Sequence, residues 1–187
     1  MSEIAPAKSY TLVDDEKATL IMAYTQNSLV RGELVHRPAI RLSTWLRTQT
    51  APEYFPLYNA QIIIQGLTGS LQSYTFQEYF LPVQQIIAYH IAPPALDPPD
   101  YDPSEPNRKM EPVTVLAGTF RLTAHIRMAI QSNTAKYLET SRENFISLYD
   151  VDISNQALPA FGVLHVSIVI ARLKMVFIST REKPVEG

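Results

Sequence analysis

One block of sequence occurs twice in this chain, in the same order and about ninety residues apart. Each copy consists of a short turn segment followed by a strand that contains aromatic residues. The first copy is Ser43–Thr48 and Phe55–Ile62, and the second is Ala135–Thr140 and Phe145–Ile153. A glycine in an apolar run precedes each copy, at Gly32 and Gly118, and a long β-branched run follows each, over Tyr79–Ile91 and Val166–Ile178. We interpret this order as a tandem duplication, which predicts two structural units of similar design.

The repeat divides the 187 residues into units near the lower size limit of a self-sufficient hydrophobic core. A shared interface between the units would relieve this shortage of buried surface. Hydrophobic residues make up 46% of the chain and charged residues 18%, which is typical of a globular protein. The formal net charge of −2 does not favour a dedicated binder of duplex DNA, because such proteins use an excess of basic side chains to contact phosphates.

The sequence lacks the residue patterns on which several kinds of chemistry depend. It contains no cysteine, which excludes disulfides, thiolate nucleophiles and thiolate metal sites. It has no phosphate-binding glycine loop, no serine nucleophile motif and no histidine pair at metal-ligating spacing. Residues 1–10 lack the pattern of a signal peptide, and no stretch is long and apolar enough to span a bilayer. We therefore expect a soluble cytoplasmic protein, not an enzyme, without cofactor, metal, membrane partner or small-molecule substrate.

We expect a mainly β protein built as two small bent sheets or partly open barrels, each with about five strands and one short helix. The predicted segments are a polar lead-in (1–16), a first β unit (17–92), a linker (93–111), a second β unit (112–182) and a tail (183–187). The linker is acidic and rich in proline, which favours an extended, semi-rigid spacer. An alternative is a polyproline docking segment that includes Pro103 and Pro106.

Local patterns place the elements within each unit. A strand, a polar turn and a second strand over Lys17–Val35 predict a hairpin, with Gly32 marking a bulge or sharp bend. A helical turn is predicted at Leu42–Arg47, and its counterpart is predicted at Thr134–Ser141. Ahead of that second helix, Ala124–Ser132 is predicted to be a loop.

Histidines and carboxylates offer few candidates for a site. His36 and His125 are predicted to lie on surface loops, and His165 is predicted to lie in the core of the most apolar strand. Asp150 and Asp152 alternate in a strand and so point to the same side of it. Two carboxylates in this arrangement can bind a cation, but a solvated strand face is the more common arrangement.

A group of arginines near aromatic residues is the feature that most favours nucleic-acid binding. The group consists of Arg31, Arg37, Arg41 and Arg47. Arginine interleaved with aromatic residues is typical of surfaces that bind single-stranded nucleic acid. The alternative is packing, because Trp45 matches Tyr137 and Phe55 matches Phe145 in the other copy, as expected of repeated core positions.

The repeated motif resembles an uncharacterised bacterial module with a motif of the type R-L-S-D-Y-L…F-F-P-L-T-D-A, and its strand count is similar to that of small Sm-like barrels. The matching stretches are Arg41–Leu46, Tyr54–Ala60 and Leu81–Val83, and the second copy is more degenerate. This resemblance implies a fold and does not imply an activity.

A shorter stretch resembles the cyclic di-GMP signature of PilZ domains, which are also small barrels. Arg37 and Arg41 have the R-x-x-x-R spacing, and Asp152–Ala157 is similar to the D-x-S-x-x-G half with its glycine replaced. Within that family both halves lie in one barrel, whereas here they fall in different copies.

The function that we predict is a non-catalytic scaffold or protein-interaction module that self-associates through sheet edges or binds a protein partner. Sheets of this kind expose strand edges that have to be covered or paired. One alternative is single-stranded nucleic-acid binding, and a third is nucleotide sensing of the PilZ type.

Overall fold

Ten antiparallel strands form one continuous open sheet in the part of the chain that the structure, a computed structural model, describes: residues 10–48, 51–66 and 70–180. The strands are β1 (Lys17–Tyr24), β2 (Ser28–His36), β3 (Tyr54–Gln65), β4 (Leu71–Pro82), β5 (Ala88–Ile91), β6 (Arg108–Ala117), β7 (Phe120–Ala129), β8 (Phe145–Ser154), β9 (Val163–Arg172) and β10 (Phe177–Ser179). The helices are α1 (Leu42–Trp45) and α2 (Thr134–Thr140). The prediction of a mainly β protein is confirmed. The predicted tail and the first nine residues of the lead-in lie outside the described residues.

The order of strands across the sheet is β10-β6-β7-β8-β9-β5-β1-β2-β3-β4. In the first five strands of the chain, the fifth lies beside the first and the fourth lies at the far side of the group; the second five are arranged in the same way. The two groups meet where β5 pairs with β9, with Ala88 opposite Ala171 and Tyr89 opposite Ile170. The sheet is therefore continuous from one half of the chain to the other.

A bulge interrupts the pairing of the second and third strands in each group. The register shifts at Gly32 on β2 and at Ala124 on β7, and the facing strands carry Asn59 and Asp150 with φ of 50° and 53°. A Cβ atom on Gly32 would lie 3.0 Å from the Leu57 Cβ atom, so glycine permits the close approach of β3. The bulge predicted at Gly32 is confirmed.

Gly118 has a different role from Gly32. It lies in the tight turn between β6 and β7 with φ of 60°, a left-handed conformation that favours glycine. A Cβ atom there would lie 2.6 Å from the carbonyl oxygen of Thr25, in the turn after β1. The turns of the two halves are therefore in contact, and Gly118 does not occupy the position of Gly32.

Two hydrophobic clusters form the core, and each takes residues from both halves of the chain. The first cluster contains side chains from β1 to β5 together with Phe145, Ile168 and Ile170 from the second half. The second cluster contains side chains from β6 to β9 together with Tyr24 and Ile87 from the first half. Burying each such large side chain contributes roughly 1.5–3 kcal/mol. The halves thus share the interface that their small size requires.

The loop predicted at Ala124–Ser132 is wrong over most of its length. β7 continues to Ala129 and pairs with β6, which begins at Arg108, ahead of the predicted start of the second unit at 112. Ile126 and Met128 are buried while their neighbours along the strand are more exposed, an alternation typical of a strand with one face on the core.

Both predicted helical turns are present. α1 lies within the predicted Leu42–Arg47, and α2 lies within the predicted Thr134–Ser141. The capping residue of α2 is Asn133, because its side chain accepts a hydrogen bond of 2.9 Å from the backbone N–H of Lys136.

Candidate functional sites

The four arginines predicted to bind nucleic acid lie in two different environments. Arg31 is on β2, and its guanidinium donates to the side-chain oxygen of Gln61 on β3 at 3.5 Å. Arg37 follows β2 and lies 3.5 Å from the carboxylate of Asp15, with both side chains largely exposed. The remaining two arginines contact the linker.

Arg41 and Arg47 are paired with buried carboxylates of the linker. Arg41 donates to the carbonyl oxygen of Pro98 and lies 3.7 Å from the carboxylate of Asp97, whose side chain is 9% exposed. Arg47 lies 3.3 Å from the carboxylate of Asp100, whose side chain is 5% exposed. The charge of these two arginines is used within the molecule, and nucleic-acid binding by the group of four stays a prediction.

Asp100 connects the linker to both halves of the chain. Its carboxylate accepts hydrogen bonds of 2.6 Å from the hydroxyls of Ser147 and Tyr149 on β8, while Arg47 approaches from the segment after α1. Burial by itself raises the pKa of this carboxyl, but the two hydroxyls and the Arg47 charge outweigh burial and hold the pKa below its usual range. Burial and the bond to Asp100 raise the pKa of the Tyr149 hydroxyl.

Other contacts hold the linker against the second half. The guanidinium of Arg127 on β7 lies 4.6 Å from the centre of the Tyr101 ring and binds the carboxylate of Glu105 at 2.6 Å. The Ser167 hydroxyl on β9 donates to the backbone carbonyl of Asp97 at 2.8 Å. The linker is thus a packed part of the structure. In the sequence, this packing is indicated by the opposite charges of the linker acids and of the arginines near α1.

Two histidines and two carboxylates lie close together beside an open depression of about 450 Å³. His165 Nδ1 is 2.9 Å from Asp152 and its Nε2 is 3.5 Å from Asp150, while His125 Nδ1 is 4.0 Å from Asp150. In the described ranges no three metal-ligating side chains are arranged to hold an ion. The predicted core position of His165 is wrong, since its side chain is 61% exposed and the buried part of β9 begins at Val166.

The signal for this polar cluster was present in the sequence but divided among three strands. His125 was assigned to a loop, and the structure places it on β7 opposite Tyr149. Once β7 is recognised as a strand, the bulge at Asp150 brings the histidine and the carboxylate to neighbouring positions.

His36 and His90 are buried and share one hydrogen-bonding pattern. In each ring Nδ1 donates to the carbonyl oxygen of the next residue, at 2.9 and 2.8 Å, and Nε2 accepts from a hydroxyl, of Thr19 or Tyr24, at 2.8 Å. Burial lowers the pKa of both rings, to about 4 for His90. The predicted surface-loop position of His36 is wrong, because this residue ends β2 and is 5% exposed.

The outer strands of the sheet expose apolar side chains. Among the described residues, β4 pairs only with β3 and β10 pairs only with β6. The exposed large apolar residues of these edges are Tyr54, Leu71, Tyr74, Phe76 and Phe80 on β3 and β4, with Met110, Leu116 and Phe177 on β6 and β10. An edge strand with exposed apolar side chains is a template for pairing with another chain.

Comparison of the chain with protein-family models, with curated proteins and with solved structures finds no match. In the part of the chain that the structure describes, no helix has the length and apolarity to cross a membrane. The halves of the PilZ-like pattern have separate contacts, because Arg41 pairs with Asp97 whereas Asp152 binds His165. The function therefore has to be argued from the fold and its exposed surfaces.

Proposed function

We propose that the chain is a tandem pair of five-stranded β units that acts as a non-catalytic scaffold and assembles through its sheet edges. Support for the duplication comes from the strand order, which is the same in both groups of five. Each group also has a bulge between its second and third strands and a helix in the connection between those strands.

The observation that carries the scaffold proposal is the length and exposure of the β4 edge. β4 runs for 12 residues, and Glu78 is its only charged side chain. Proteins that remain monomeric usually shield such a strand with several charges, a bulge or a covering segment. Phe80 on this strand is 56% exposed, and burying a phenylalanine contributes roughly 1.5–3 kcal/mol. An added strand would bury this surface and extend the sheet.

Light scattering after size-exclusion chromatography tests this proposal. We expect the unmodified chain to form a defined oligomer or a defined complex that is lost in Phe80→Lys, because the substitution places a charge in the junction. Gln131→Lys is the matched control, since it adds the same charge in the exposed turn between β7 and α2. A monomer at all concentrations, with no partner that distinguishes the two variants, contradicts the scaffold function.

A further inference from the structure

We propose that copies of this chain join head to tail, with the β10 edge of one copy pairing antiparallel with the β4 edge of the next. This inference rests on the proposed scaffold function and adds which edge meets which, and in what register. The evidence is that the chain already contains one junction of this type, between its own two halves.

The internal junction pairs β5 with β9, and it is closely packed. Tyr89 faces Ile170 across the junction, and both side chains belong to the first hydrophobic cluster with exposures of 1%. Ala88 faces Ala171, and both belong to the second cluster with exposures of 0%. Neighbouring residues on these strands therefore point alternately into the cores of the two halves.

The bulges fix which residue of one half corresponds to which residue of the other. Ile62 and Ile153 each lie three residues after the bulge residues, Asn59 and Asp150. Ile62 on β3 pairs with Tyr74 on β4, and Ile153 on β8 pairs with Leu164 on β9. Tyr74 therefore corresponds to Leu164. β4 thus corresponds to β9, with a constant offset of ninety residues between these strands.

Strand pairing on the other side of β3 and β8 reaches the fifth strand of each group. From Ile62, the partners are followed through β2 and β1 to Tyr89 on β5. From Ile153, they are followed through β7 and β6 to Ile178 on β10. β10 therefore corresponds to β5, and Phe177 corresponds to Ala88.

Residues that are buried at the internal junction have exposed apolar counterparts at the outer edges. On the β4 side, Phe80 is 56% exposed where its counterpart Ile170 is 1% exposed. Tyr54, which lies opposite Pro82, is 50% exposed, whereas Phe145, which lies opposite Arg172, is 3% exposed. Both counterparts of these exposed aromatics are in the first cluster, packed against the other half.

The β10 side shows the same contrast. Phe177 is 76% exposed, whereas its counterpart Ala88 is fully buried. Leu116, which pairs with Phe177, is 45% exposed, whereas Tyr24, which pairs with Ala88, is fully buried. Each outer edge is thus one side of the internal junction with its partner removed, and the occupant that fits both is a second copy of this chain.

The register of the intermolecular junction follows from the internal one. Tyr89 opposite Ile170 becomes Ile178 opposite Phe80 of the next copy. One residue further along each strand, Ser179 lies opposite Tyr79 of the next copy. A head-to-tail junction leaves one free edge of each kind on every complex, so addition of copies continues until a ring closes or a filament grows.

The intermolecular junction lacks a counterpart of Arg172, so we expect it to be weaker than the internal junction. At the internal junction the Arg172 side chain donates to the backbone carbonyls of Val83 and Ile86, at 2.6 and 3.0 Å. Pro82 occupies the corresponding place on β4 and has no donor to offer. Assembly should therefore be reversible and depend on protein concentration.

Mixing two edge variants tests the direction of assembly. Phe177→Asp blocks the β10 edge and leaves β4 free, while Phe80→Lys blocks β4 and leaves β10 free. We expect each variant alone to be a monomer by light scattering and an equimolar mixture to give a complex of twice the monomer mass that grows no further. A mixture that stays monomeric while the unmodified chain is an oligomer overturns the head-to-tail arrangement and leaves the scaffold function standing. A monomeric unmodified chain overturns both.

Cysteine cross-linking tests the register, because the chain has no cysteine of its own. Residues directly opposite each other in an antiparallel pair have Cα separations of about 4.5–5.5 Å, which a disulfide can bridge. Under mild oxidation we expect Tyr79→Cys mixed with Ser179→Cys to give a linked dimer, and neither variant to link with itself. Tyr74→Cys mixed with Ser179→Cys is the control on the same edge and should not link. Self-linking of Tyr79→Cys indicates a two-fold β4 to β4 contact, and linking in the Tyr74→Cys mixture indicates another register; either overturns the proposal.

Discussion

Acidification should destabilise the protein through His90, which the fold holds in its neutral form. Its Nδ1 donates to the carbonyl of Ile91, its Nε2 lies 2.8 Å from the Tyr24 hydroxyl, and the residue is 2% exposed, so water does not stabilise a positive charge on the ring. Burial lowers the pKa of His90 from its usual value of 6.5 to about 4. Between these two values the unfolded chain binds a proton that the folded chain does not, and stability is lost as the pH falls.

The size of the effect follows from the pKa difference. Since one pKa unit is worth about 1.36 kcal/mol, a difference of about 2.5 units corresponds to about 3 kcal/mol when the transition is complete. Between pH 7.5 and pH 4.5 most of that amount, about 2–3 kcal/mol, should be lost. The loss is a substantial part of the total stability of an ordinary domain.

Urea unfolding at pH 7.5 and pH 4.5 measures this loss in the unmodified chain and in His90→Gln. The variant removes the buried titrating group. Between pH 7.5 and pH 4.5, its free energy of unfolding should therefore fall by about 2–3 kcal/mol less than that of the unmodified chain. His36 is buried in both proteins, and its contribution cancels in the difference. An unchanged pH dependence in His90→Gln would refute the assignment of the neutral state to this ring.

Two further substitutions test the contacts between the halves and the linker. Arg47→Ala should lower the free energy of unfolding by about 1–3 kcal/mol, because it leaves the buried Asp100 carboxylate without its cation. The control is Arg37→Ala, which breaks an exposed ion pair and should lower the free energy of unfolding by less than about 1 kcal/mol. Equal effects of the two substitutions in urea unfolding would contradict the contact between Arg47 and the linker. Gly118→Ala should cost about 2 kcal/mol or more in thermal or urea unfolding, because the new Cβ atom meets a backbone oxygen of the other half at 2.6 Å in addition to the strain of φ at 60°. A loss below about 1 kcal/mol in Gly118→Ala would remove the evidence for contact between the turns.

Patterns within single elements predicted much of the secondary structure. The hairpin of β1 and β2, the bulge at Gly32 and both helical turns could be placed because alternation and turn residues act over a few residues. The error at β7 came from treating Gly118 as the counterpart of Gly32. The two glycines have different roles, because Gly32 permits a close approach of strands and Gly118 permits a left-handed turn.

The candidate sites were harder to predict because their residues meet only through the fold. Arg47 and Asp100 are 53 residues apart in the chain, and their pairing depends on the linker returning across both halves. Exposed His165 lies on the same apolar strand as buried Ile170, and the strand pattern does not show where burial begins. Tertiary contacts decide that boundary, since Ile168 and Ile170 pack into the first cluster with side chains of the first half, whereas the side chain of His165 is 61% exposed.

The sequence by itself determined that the chain is mainly β and where the first hairpin and the two short helices lie, because β-branched residues, alternation and turn residues act locally. Tertiary structure alone decided that β5 pairs with β9, that the linker acids are buried against arginines, and that Phe80 and Phe177 are left exposed. These outcomes depend on which strand edges meet. Every residue except proline offers the same backbone hydrogen-bonding groups at an edge, so packing of the side chains across the edge decides which partner is chosen.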